Sequence, residues 1–401
     1  MKLTKENIEE IGKDFFEMKS REDLLNLLNK TKFYLFGDKS KPIQLKILTY
    51  YANPNIAGKR YVEFTIPKKS GSIRRINAPV KSLKYIQMCL NVILNIVFKP
   101  SPFAMGFVPG RSIVTNAMIH QNCRYVYNID LSDFFHSIEL HRVKAVLKLK
   151  PFNLCSEREP LAFLIANLCC TELDVNRLEN GNQIAVVRSV LPQGAPTSPV
   201  LTNIVAQRLD RRLYGLAKRF NINYSRYADD ITFSASMNIF KQKGEFNHEL
   251  TRIIANEGFS INKDKIRLQD RCFRQEVTGL IVNEKVNIRR RYIKNIRLWL
   301  YYWERYGYEK AAQYYEQYYR KDKMYIKIVP SLEKSILGKL TFIKMVKGDK
   351  DPVFRGLWTR FETLVKRFKE SKSAMLDYNI ILEILFNQGI TAAMEAYSKV
   401  K

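Results

Sequence analysis

The chain has 401 residues, 46% of them apolar, which predicts two or three domains or one multilobed unit with a sizeable core. Its 67 lysines and arginines against 39 acidic residues give a formal net charge of +28, which favours a polyanionic partner over a merely basic surface. No stretch approaches the roughly 20 apolar residues that span a bilayer, and the six cysteines form no CxxC pair, which argues against a membrane protein, a zinc site and a disulfide framework. The charged N-terminus has no apolar core typical of a signal peptide, so we expect a cytoplasmic protein without a membrane partner.

The first part of the chain alternates between helical and extended patterns. Residues 1–55 are predicted to be helical, because apolar residues recur at helical spacing in DLLNLLNKTKFYLF (23–36). Two extended segments follow within 61–79 and are joined by a basic turn at Gly71. A second helical run is predicted over 80–98.

The rest of the chain changes character at about residue 288. Between 125 and 288, short apolar strands alternate with helical patterns, which is typical of a mixed α and β core. From Arg289 onward the sequence is helical, basic and rich in aromatic residues, as in 299–321. Because no internal repeat or low-complexity linker separates these parts, we expect them to pack together as lobes of one functional unit.

Two adjacent aspartates lie in the stretch NYSRYADDITFSAS (223–236). Side chains on both sides of the pair alternate as two strands around a tight turn require, so Asp229 and Asp230 are predicted at the tip of a hairpin. The simplest alternative is a solvated turn, in which aspartates are common.

A third aspartate follows a near-continuous apolar strand. Tyr125 to Ile129 form this strand and place Asp130 at its end, a position that packing explains poorly. Two charges about 4 Å apart interact by roughly 4 kcal/mol at an effective dielectric of about 20, so three carboxylates in one place favour a bound dication. Magnesium suits such an oxygen-only site, and two ions bridged by Asp130 and Asp229 would support in-line phosphoryl transfer.

Three motifs together resemble those of one enzyme family. Asp130, LPQGAPTSPVLTN (191–203) and YADD (227–230) occur in the order and approximate spacing of reverse transcriptases, and the chain resembles that family from about residue 60 to 300. Taken alone, LPQGAPTSP fits an ordinary Pro/Gly loop before a helix equally well. The resemblance implies an α+β fold with right-hand polymerase architecture, in which fingers and a helical thumb flank an RRM-like antiparallel-sheet palm. The implied domains are an N-terminal helical segment at 1–55, fingers at 56–124, a palm at 125–288 with finger elements inserted around 145–190, and a helical thumb with C-terminal tail at 289–401.

The resemblance also implies a catalytic centre. Asp130, Asp229 and Asp230 would be catalytic carboxylates that bind two Mg²⁺ ions, and Leu131 is included among the metal-binding positions. Lys265, in INKDKIRL (261–268), resembles a lysine that approaches the leaving pyrophosphate and protonates it.

A further group of residues is expected to bind dNTPs. The members of this group are Lys69, Arg74, Arg75, Phe135, Gln193 and Gly194. The three cations flank a turn and resemble finger residues that clamp triphosphate oxygens, although a solvated basic hairpin has the same pattern. Phe135 resembles the ring that excludes a 2′-hydroxyl, with core packing as the alternative. Gln193 and Gly194 would shape the loop that holds the template and the incoming nucleotide.

Two further motifs indicate which reverse transcriptases the chain resembles. NAMIH (116–120) matches an NAxxH signature and VTG (277–279) a second signature, and the two together resemble bacterial retron reverse transcriptases. By itself, the first motif fits an Asn and a His that are satisfied locally on one helical face, and the second fits a plain strand end. EVTGLIVNEKVNIRR (276–290) predicts a hairpin with its turn near Asn283 to Lys285.

The retron resemblance implies a specific nucleic-acid partner. Such an enzyme recognises a structured noncoding RNA encoded beside it, starts DNA synthesis from the 2′-hydroxyl of a guanosine in that RNA, and leaves a branched RNA–DNA hybrid called msDNA. The resemblance also implies a role in defence against phage, with a possible effector protein from the same locus. The expected RNA-binding residues are Arg111, Asn116, His120, Val277, Thr278, Gly279, Arg289, Arg290 and Arg291.

Two alternatives differ from this interpretation. Another bacterial defence or group II intron-like reverse transcriptase, protein-primed or unprimed, would share the polymerase motifs, although no HNH or Cys/His nuclease pattern follows the thumb. A noncatalytic RNA-binding scaffold would share the fold, but the presence of all three carboxylates argues against it.

Overall fold

The chain folds into two compact units, Met1–Glu284 and Lys285–Lys401. The computed structural model describes residues 3–38, 40–53, 60–67, 71, 73–179, 182–241, 243–322, 328–388 and 394. The mixture of helices and sheets predicted from the sequence is confirmed.

The N-terminal part of the first unit is helical around one basic hairpin. Its elements are α1 (Lys5–Glu17), α2 (Arg21–Phe36), α3 (Leu45–Ala52), β1 (Tyr61–Pro67), β2 (Ile73–Pro79), α4 (Lys81–Val97) and α5 (Ile113–Met118). Thr4 and Ser20 cap α1 and α2 through reciprocal side-chain bonds, which satisfies amide groups that a helix start leaves free. Helix α4 packs against both helices and buries Leu83, Ile86 and Leu90. The predicted helical start and the predicted strand pair are both confirmed.

The remainder of the first unit is built around a four-stranded antiparallel sheet. Its elements are β3 (Tyr125–Asp130), α6 (Leu140–Lys148), α7 (Glu159–Cys169), β4 (Thr171–Glu179), β5 (Asn182–Val190), α8 (Ser198–Val205), α9 (Gln207–Arg219), β6 (Asn223–Tyr227), β7 (Asp230–Ala235), α10 (Glu245–Asn256), β8 (Arg267–Asp270), β9 (Glu276–Val277) and β10 (Leu280–Ile281). The sheet order is β6-β7-β3-β8, and β4 pairs with β5 in a separate hairpin. Strand β3 is therefore one of the two central strands, which explains why its residues form a near-continuous apolar run.

The last hairpin of this unit turns at a different place from the predicted one. Strands β9 and β10 pair Val277 with Leu280, so Thr278 and Gly279 form the turn. Both turn residues have positive φ angles, 47° and 82°, as a tight two-residue hairpin requires, and glycine adopts such angles without a steric penalty. The prediction of a turn near Asn283 to Lys285 is wrong, because the Thr-Gly pair supplies the turn earlier in the chain.

The second unit is helical. It contains α11 (Arg290–Asp322), which is interrupted by a non-helical Gly307, followed by α12 (Leu332–Lys347) and α13 (Pro352–Gln388). Its described interior includes Trp299, Trp303, Leu340 and Phe361. No helix within the described ranges combines the length and apolar character needed to cross a membrane.

Candidate active site

The β6–β7 hairpin carries two of the predicted carboxylates. Tyr227 pairs with Asp230, which leaves Ala228 and Asp229 as the two turn residues. Ala228 has a φ of 59°, an uncommon conformation for a residue with a side chain. The Leu131 amide donates to the Asp229 carbonyl at 3.0 Å and so fastens the turn to the end of β3. The predicted hairpin is present, with Asp230 as the first residue of β7 rather than as part of the turn.

Asp130 lies beside this turn because of the register of the sheet. It is the direct partner of Asp230 across β3 and β7. Asp130 and Asp229 both line a cavity of about 560 Å³. The structure therefore brings together, from the end of β3 and the tip of the β6–β7 hairpin, the aspartates that the sequence placed in one centre.

The two hairpin carboxylates lie in an electrostatically unfavourable environment. Burial, and then the charge of Asp130, raises the pKa of Asp229 above its usual range. Burial, and then the charge of Asp229, raises the pKa of Asp230 to about 7. Lys265, Arg74 and Arg267 oppose these increases without cancelling them. The site consequently carries negative charge that the surrounding protein compensates only in part.

Lys265 pairs with the third carboxylate. Its Nζ lies 2.8 Å from Asp130 Oδ1. The Asn262 amide donates to the Asp130 carbonyl at 2.8 Å, and the single turn of 3-10 helix that follows, Lys263–Lys265, points the lysine back at the site. The predicted catalytic lysine therefore lies at the cavity wall, bound to a predicted metal ligand.

The donor set fits a hard dication by its chemistry. Carboxylate oxygens are the ligands that Mg²⁺ prefers, and partly compensated buried carboxylates gain the most from a bound cation. Among the residues that the structure describes, no three Asp, Glu, His or Cys side chains already converge closely enough to hold a metal, and Asp130 is bound to Lys265 instead. The side chain of Leu131 is an apolar one and is buried, so only its backbone carbonyl qualifies as a ligand. Lys265 is bonded to one of the two carboxylate oxygens of Asp130, and the other oxygen is the one that would be offered to an ion.

Several of the predicted dNTP-binding residues line the same cavity. Arg74, Phe135 and Gln193 contribute to its wall. Arg75 is exposed and is not among the described residues of this wall, and Lys69 lies outside the described residues. Phe135 is only partly buried, which agrees better with a cavity wall than with core packing.

The PQG loop is fastened to the basic hairpin. The Asn77 amide of β2 donates to the Gln193 carbonyl at 2.8 Å. Gly194 has a φ of 125°, and a Cβ at this position would lie 2.8 Å from Ile76 Cγ2 and 2.9 Å from the Asn77 carbonyl oxygen. Only glycine fits this close approach, so Gly194 has a backbone role at the cavity.

A buried ion pair behind the hairpin was missed by the sequence reasoning. The Arg226 guanidinium binds both carboxylate oxygens of Asp210 at 2.7 Å, and both side chains are fully buried. Its remaining nitrogen donates to the Ala228 carbonyl at 3.0 Å and to Asn203 at 3.2 Å. Arg226 therefore holds the strained turn residue next to Asp229. Its place on the same strand face as Tyr224, which is buried, was a usable signal that it would need an interior partner.

Asn116 and His120 occupy the opposite side of the same hairpin and are buried. The two ring nitrogens of His120 lie 2.8 Å from Ser234 Oγ and 2.7 Å from Ser225 Oγ. The Ser225 hydroxyl donates to Asn116 Oδ1 at 2.7 Å. Burial lowers the pKa of His120 to about 3, so the ring is neutral at physiological pH. The prediction that these two side chains bind RNA is wrong for this structure, because their bonds and burial direct them at β6 and β7.

The other predicted RNA-binding residues differ widely in exposure. Val277 is fully buried, which excludes side-chain contact with RNA, whereas Thr278 is half-buried and donates to the Ile113 carbonyl at 3.2 Å. Gly279 is exposed at the turn. Arg111 donates to the carbonyls of Ser101 and Ala104. The second unit contributes three exposed cations, Arg289, Arg290 and Arg291.

Comparison with known proteins agrees with the motifs. A family model described as reverse transcriptase (RNA-dependent DNA polymerase) matches residues 66–282, more than half of the chain. The chain is 37% identical over 264 residues to the retron Mx65 reverse transcriptase of Myxococcus xanthus. This alignment covers 65% of this chain and 60% of that protein. It is 34% identical over 266 residues to the retron Ec86 reverse transcriptase of Escherichia coli. This second alignment covers 65% of this chain and 75% of that protein.

The matches cover only part of the length of some of these relatives. The chain spans 60% and 47% of the lengths of two Myxococcus xanthus relatives. A solved structure, apo telomerase from Candida tropicalis truncated from its C-terminal domain, is 14% identical and covers 60% of this chain and 58% of that one, with a TM-score of 0.39. The family assignment therefore rests on the sequence matches. Because the family model covers more than half of the chain, and 75% of the Ec86 protein is matched at 34% identity, the chain belongs to the family of bacterial retron reverse transcriptases.

Proposed function

We propose that the chain is an RNA-directed DNA polymerase that copies a cognate structured noncoding RNA into DNA from dNTPs. One observation carries the proposal: a single cavity is lined by Asp130, Asp229, Arg74, Phe135 and Gln193, which come from separate segments of the chain. Carboxylates, a guanidinium and a flat ring around one cleft are the groups that nucleotidyl transfer requires. The net charge of +28 supports a nucleic-acid partner.

The proposed architecture is that of a right hand. In this proposal the β1–β2 hairpin and its neighbours within 56–124 form fingers, and the four-stranded sheet of 125–288 is the palm. Elements around 145–190 belong to the fingers, residues 289–401 form a helical thumb with a tail, and 1–55 is an additional helical segment. The antiparallel sheet with the order β6-β7-β3-β8 supports the palm assignment, because it matches the order of an RRM-like sheet.

Asp130 and Asp229 would hold two Mg²⁺ ions, with Asp230 and the Leu131 carbonyl next to them. When bound, the ions would lower the pKa of the attacking hydroxyl and offset the charge of the triphosphate. The carboxylates are preorganised for this role by the Leu131–Asp229 and Asn262–Asp130 backbone bonds. Such preorganisation lowers the cost of reaching the reactive geometry.

The cations and the ring have distinct proposed roles. Arg74 binds triphosphate oxygens from the fingers side, for which a guanidinium fork is suited. Lys265, which lines the cavity beside Asp130, serves as the proton donor to the leaving pyrophosphate. Phe135 blocks the space that a 2′-hydroxyl needs, so that dNTPs are preferred over ribonucleotides.

The family supports a proposal for the priming mode and the biological role. We propose that synthesis starts from an RNA 2′-hydroxyl and yields branched msDNA, and that this product acts in antiphage defence with an effector protein. The support is the membership in the retron family together with the NAxxH and VTG motifs. Exposed Gly279 and the exposed arginines at 289–291 are the proposed contacts to RNA.

The experiment is the isolation of nucleic acid from cells that express the locus. Wild-type protein should yield short DNA covalently joined to RNA, and Asp229→Asn should yield none. Asp349→Asn, an exposed aspartate of the second unit, is the matched control and should leave the yield unchanged. Persistence of the branched DNA in the Asp229→Asn cells would refute the proposed polymerase centre. DNA whose 5′ end is free, or is joined to protein, would refute the proposed priming from an RNA 2′-hydroxyl.

A further inference from the structure

A second cavity lies among the N-terminal helices. It has a volume of about 510 Å³ and shares no lining residue with the active-site cavity. Helix α2, the segment before α3, the first turn of α3 and the first turns of α4 supply its walls. A cavity of this size accommodates one small organic ligand.

One buried lysine in this cavity has no acidic partner among the residues that the structure describes. Lys32 is 9% exposed, and its ammonium donates to the Lys41 carbonyl and lies 5.3 Å from the centroid of the Tyr85 ring. Neither described partner carries a negative charge. A buried ammonium is costly unless an anion compensates it, so the cavity is prepared for an anionic group.

Other features of the cavity wall also favour an anionic ligand. Lys41 and Lys81 also line the cavity, and none of the described residues that line it is acidic. Lys81 and Ser82 begin α4, a helix of 17 residues whose N-cap residue, Val80, makes no side-chain cap bond. The free amide groups and the dipole of such a helix start favour an anion, most of all a phosphate.

The apolar part of the wall fits a flat ring. Phe36 and Tyr85 lie with ring centroids 5.2 Å apart and nearly perpendicular planes, and both line the cavity. Ile43, Ile47 and Ile86 complete the apolar surface. Aromatic and aliphatic walls of this kind bind nucleobases by stacking and burial, without strong preference for one base.

We propose that this cavity binds a nucleotide, with the phosphate at Lys32, Lys41 and Lys81 and the base against Phe36 and Tyr85. That the ligand is an aromatic anion is inferred from the cavity wall alone. That this anion is a nucleotide rests on the proposed function in nucleic-acid synthesis. The nucleotide comes either from an unpaired position of the bound RNA or from the free pool, because both present the same chemistry. The site is separate from the polymerase centre and anchors a ligand there without taking part in the reaction.

The test is calorimetric titration of the full-length protein with adenosine 5′-monophosphate and, separately, with inorganic phosphate. The monophosphate should bind more tightly than phosphate, because it adds the apolar contacts. Lys32→Met and Lys81→Met should each weaken binding about tenfold, the loss expected for one charge-assisted contact. Lys46→Met, an exposed lysine of α3 outside the cavity, is the matched control and should bind like the wild type.

Three further measurements separate the possible outcomes. Arg74→Met removes a cation of the active-site cavity, so binding that survives this change and fails in Lys32→Met locates the nucleotide in the second cavity. Thermal unfolding without ligand should show Lys32→Met at least as stable as the wild type, because the lysine lacks a counter-charge. Titration with and without the copurifying RNA identifies the source, since an RNA nucleotide already in place blocks the monophosphate and a free-pool site stays open. Equal binding by the wild type and both lysine variants would overturn the proposal, and this readout does not depend on polymerase activity.

Discussion

The tip and the body of the β6–β7 hairpin differ in how their charges are compensated. At the tip, Asp229 and Asp230 are half-buried beside one another and their pKa values are raised. In the body, Arg226 on one face is paired with Asp210, and on the opposite face the ring of His120 lies within hydrogen-bond distance of two serine hydroxyls. The comparison teaches that a hairpin body bonded on both faces stabilises a tip that is left electrostatically unfavourable. Such unfavourable charge at a cleft is typical of a functional site.

The largest expected effect comes from the body of the hairpin. Arg226→Leu leaves Asp210 buried without its partner and should lower the free energy of unfolding by about 3–5 kcal/mol. Urea unfolding monitored by circular dichroism measures this loss. The double change of Arg226 and Asp210 to leucine is the control and should lose much less, because it removes both charges together. A double variant that is as unstable as the sum of its single variants would contradict the ion-pair account.

The tip of the hairpin should respond in the opposite direction. The pKa of Asp230 is raised from 3.8 to about 7, so the stability that its protonated form contributes is complete below pH 4 and is lost as pH rises through 7. Asp230→Asn should therefore stabilise the metal-free protein by roughly 2–4 kcal/mol at pH 8 and by much less at pH 5. Unfolding in urea and EDTA at both pH values tests this expectation. An equal gain in stability at the two pH values would contradict the raised pKa of Asp230.

His120 should have an intermediate effect that depends on pH. At pH 8 the ring is neutral in the folded and the unfolded protein, and His120→Ala, which removes one hydrogen-bond partner from each of the Ser225 and Ser234 hydroxyls, should cost about 2 kcal/mol. Because burial lowers the pKa of His120 from 6.5 to about 3, the unfolded chain at pH 5 binds a proton that the folded protein excludes, so the wild type loses about 2 kcal/mol between pH 8 and pH 5 and the alanine variant does not. The loss caused by His120→Ala should therefore be much smaller at pH 5 than at pH 8. His141→Ala, at an exposed histidine, is the control. An equal loss at the two pH values would contradict the lowered pKa of the buried ring.

The smallest expected effect is on sugar selection at the cavity wall. Phe135→Ala should raise the incorporation of ribonucleotides relative to dNTPs by on the order of tenfold, because space opens for the 2′-hydroxyl. Single-nucleotide incorporation kinetics with matched dNTP and ribonucleotide measure the ratio. Phe163→Ala, an exposed ring away from the cavity, should leave it unchanged. Unchanged selection in Phe135→Ala would show that the ring only packs.

Local patterns predicted the tip of the hairpin better than the contacts of its body. The apolar strand that ends in Asp130 and the Tyr-Ala-Asp-Asp turn are features of short stretches, so their geometry was accessible from sequence. The Arg226–Asp210 pair joins a strand to a helix, and neither residue shows its partner in its own neighbourhood. The i, i+4 spacing of Asn116 and His120 predicted a shared helical face but not what packs on that face. The position of the β9–β10 turn depended on backbone angles at Thr278 and Gly279, which hydrophobic alternation does not report.

The most direct measurement of the central claim is primer extension by the purified protein on an RNA template while Mg²⁺ is titrated. The account predicts DNA synthesis that requires the ion and that falls at least about a hundredfold in Asp229→Asn, since removal of a ligand of the ions costs several kcal/mol of transition-state stabilisation. The Asp349→Asn control should extend the primer like the wild type. Synthesis at the wild-type rate by Asp229→Asn, or wild-type protein that binds RNA but extends no primer at any Mg²⁺ concentration, would contradict it.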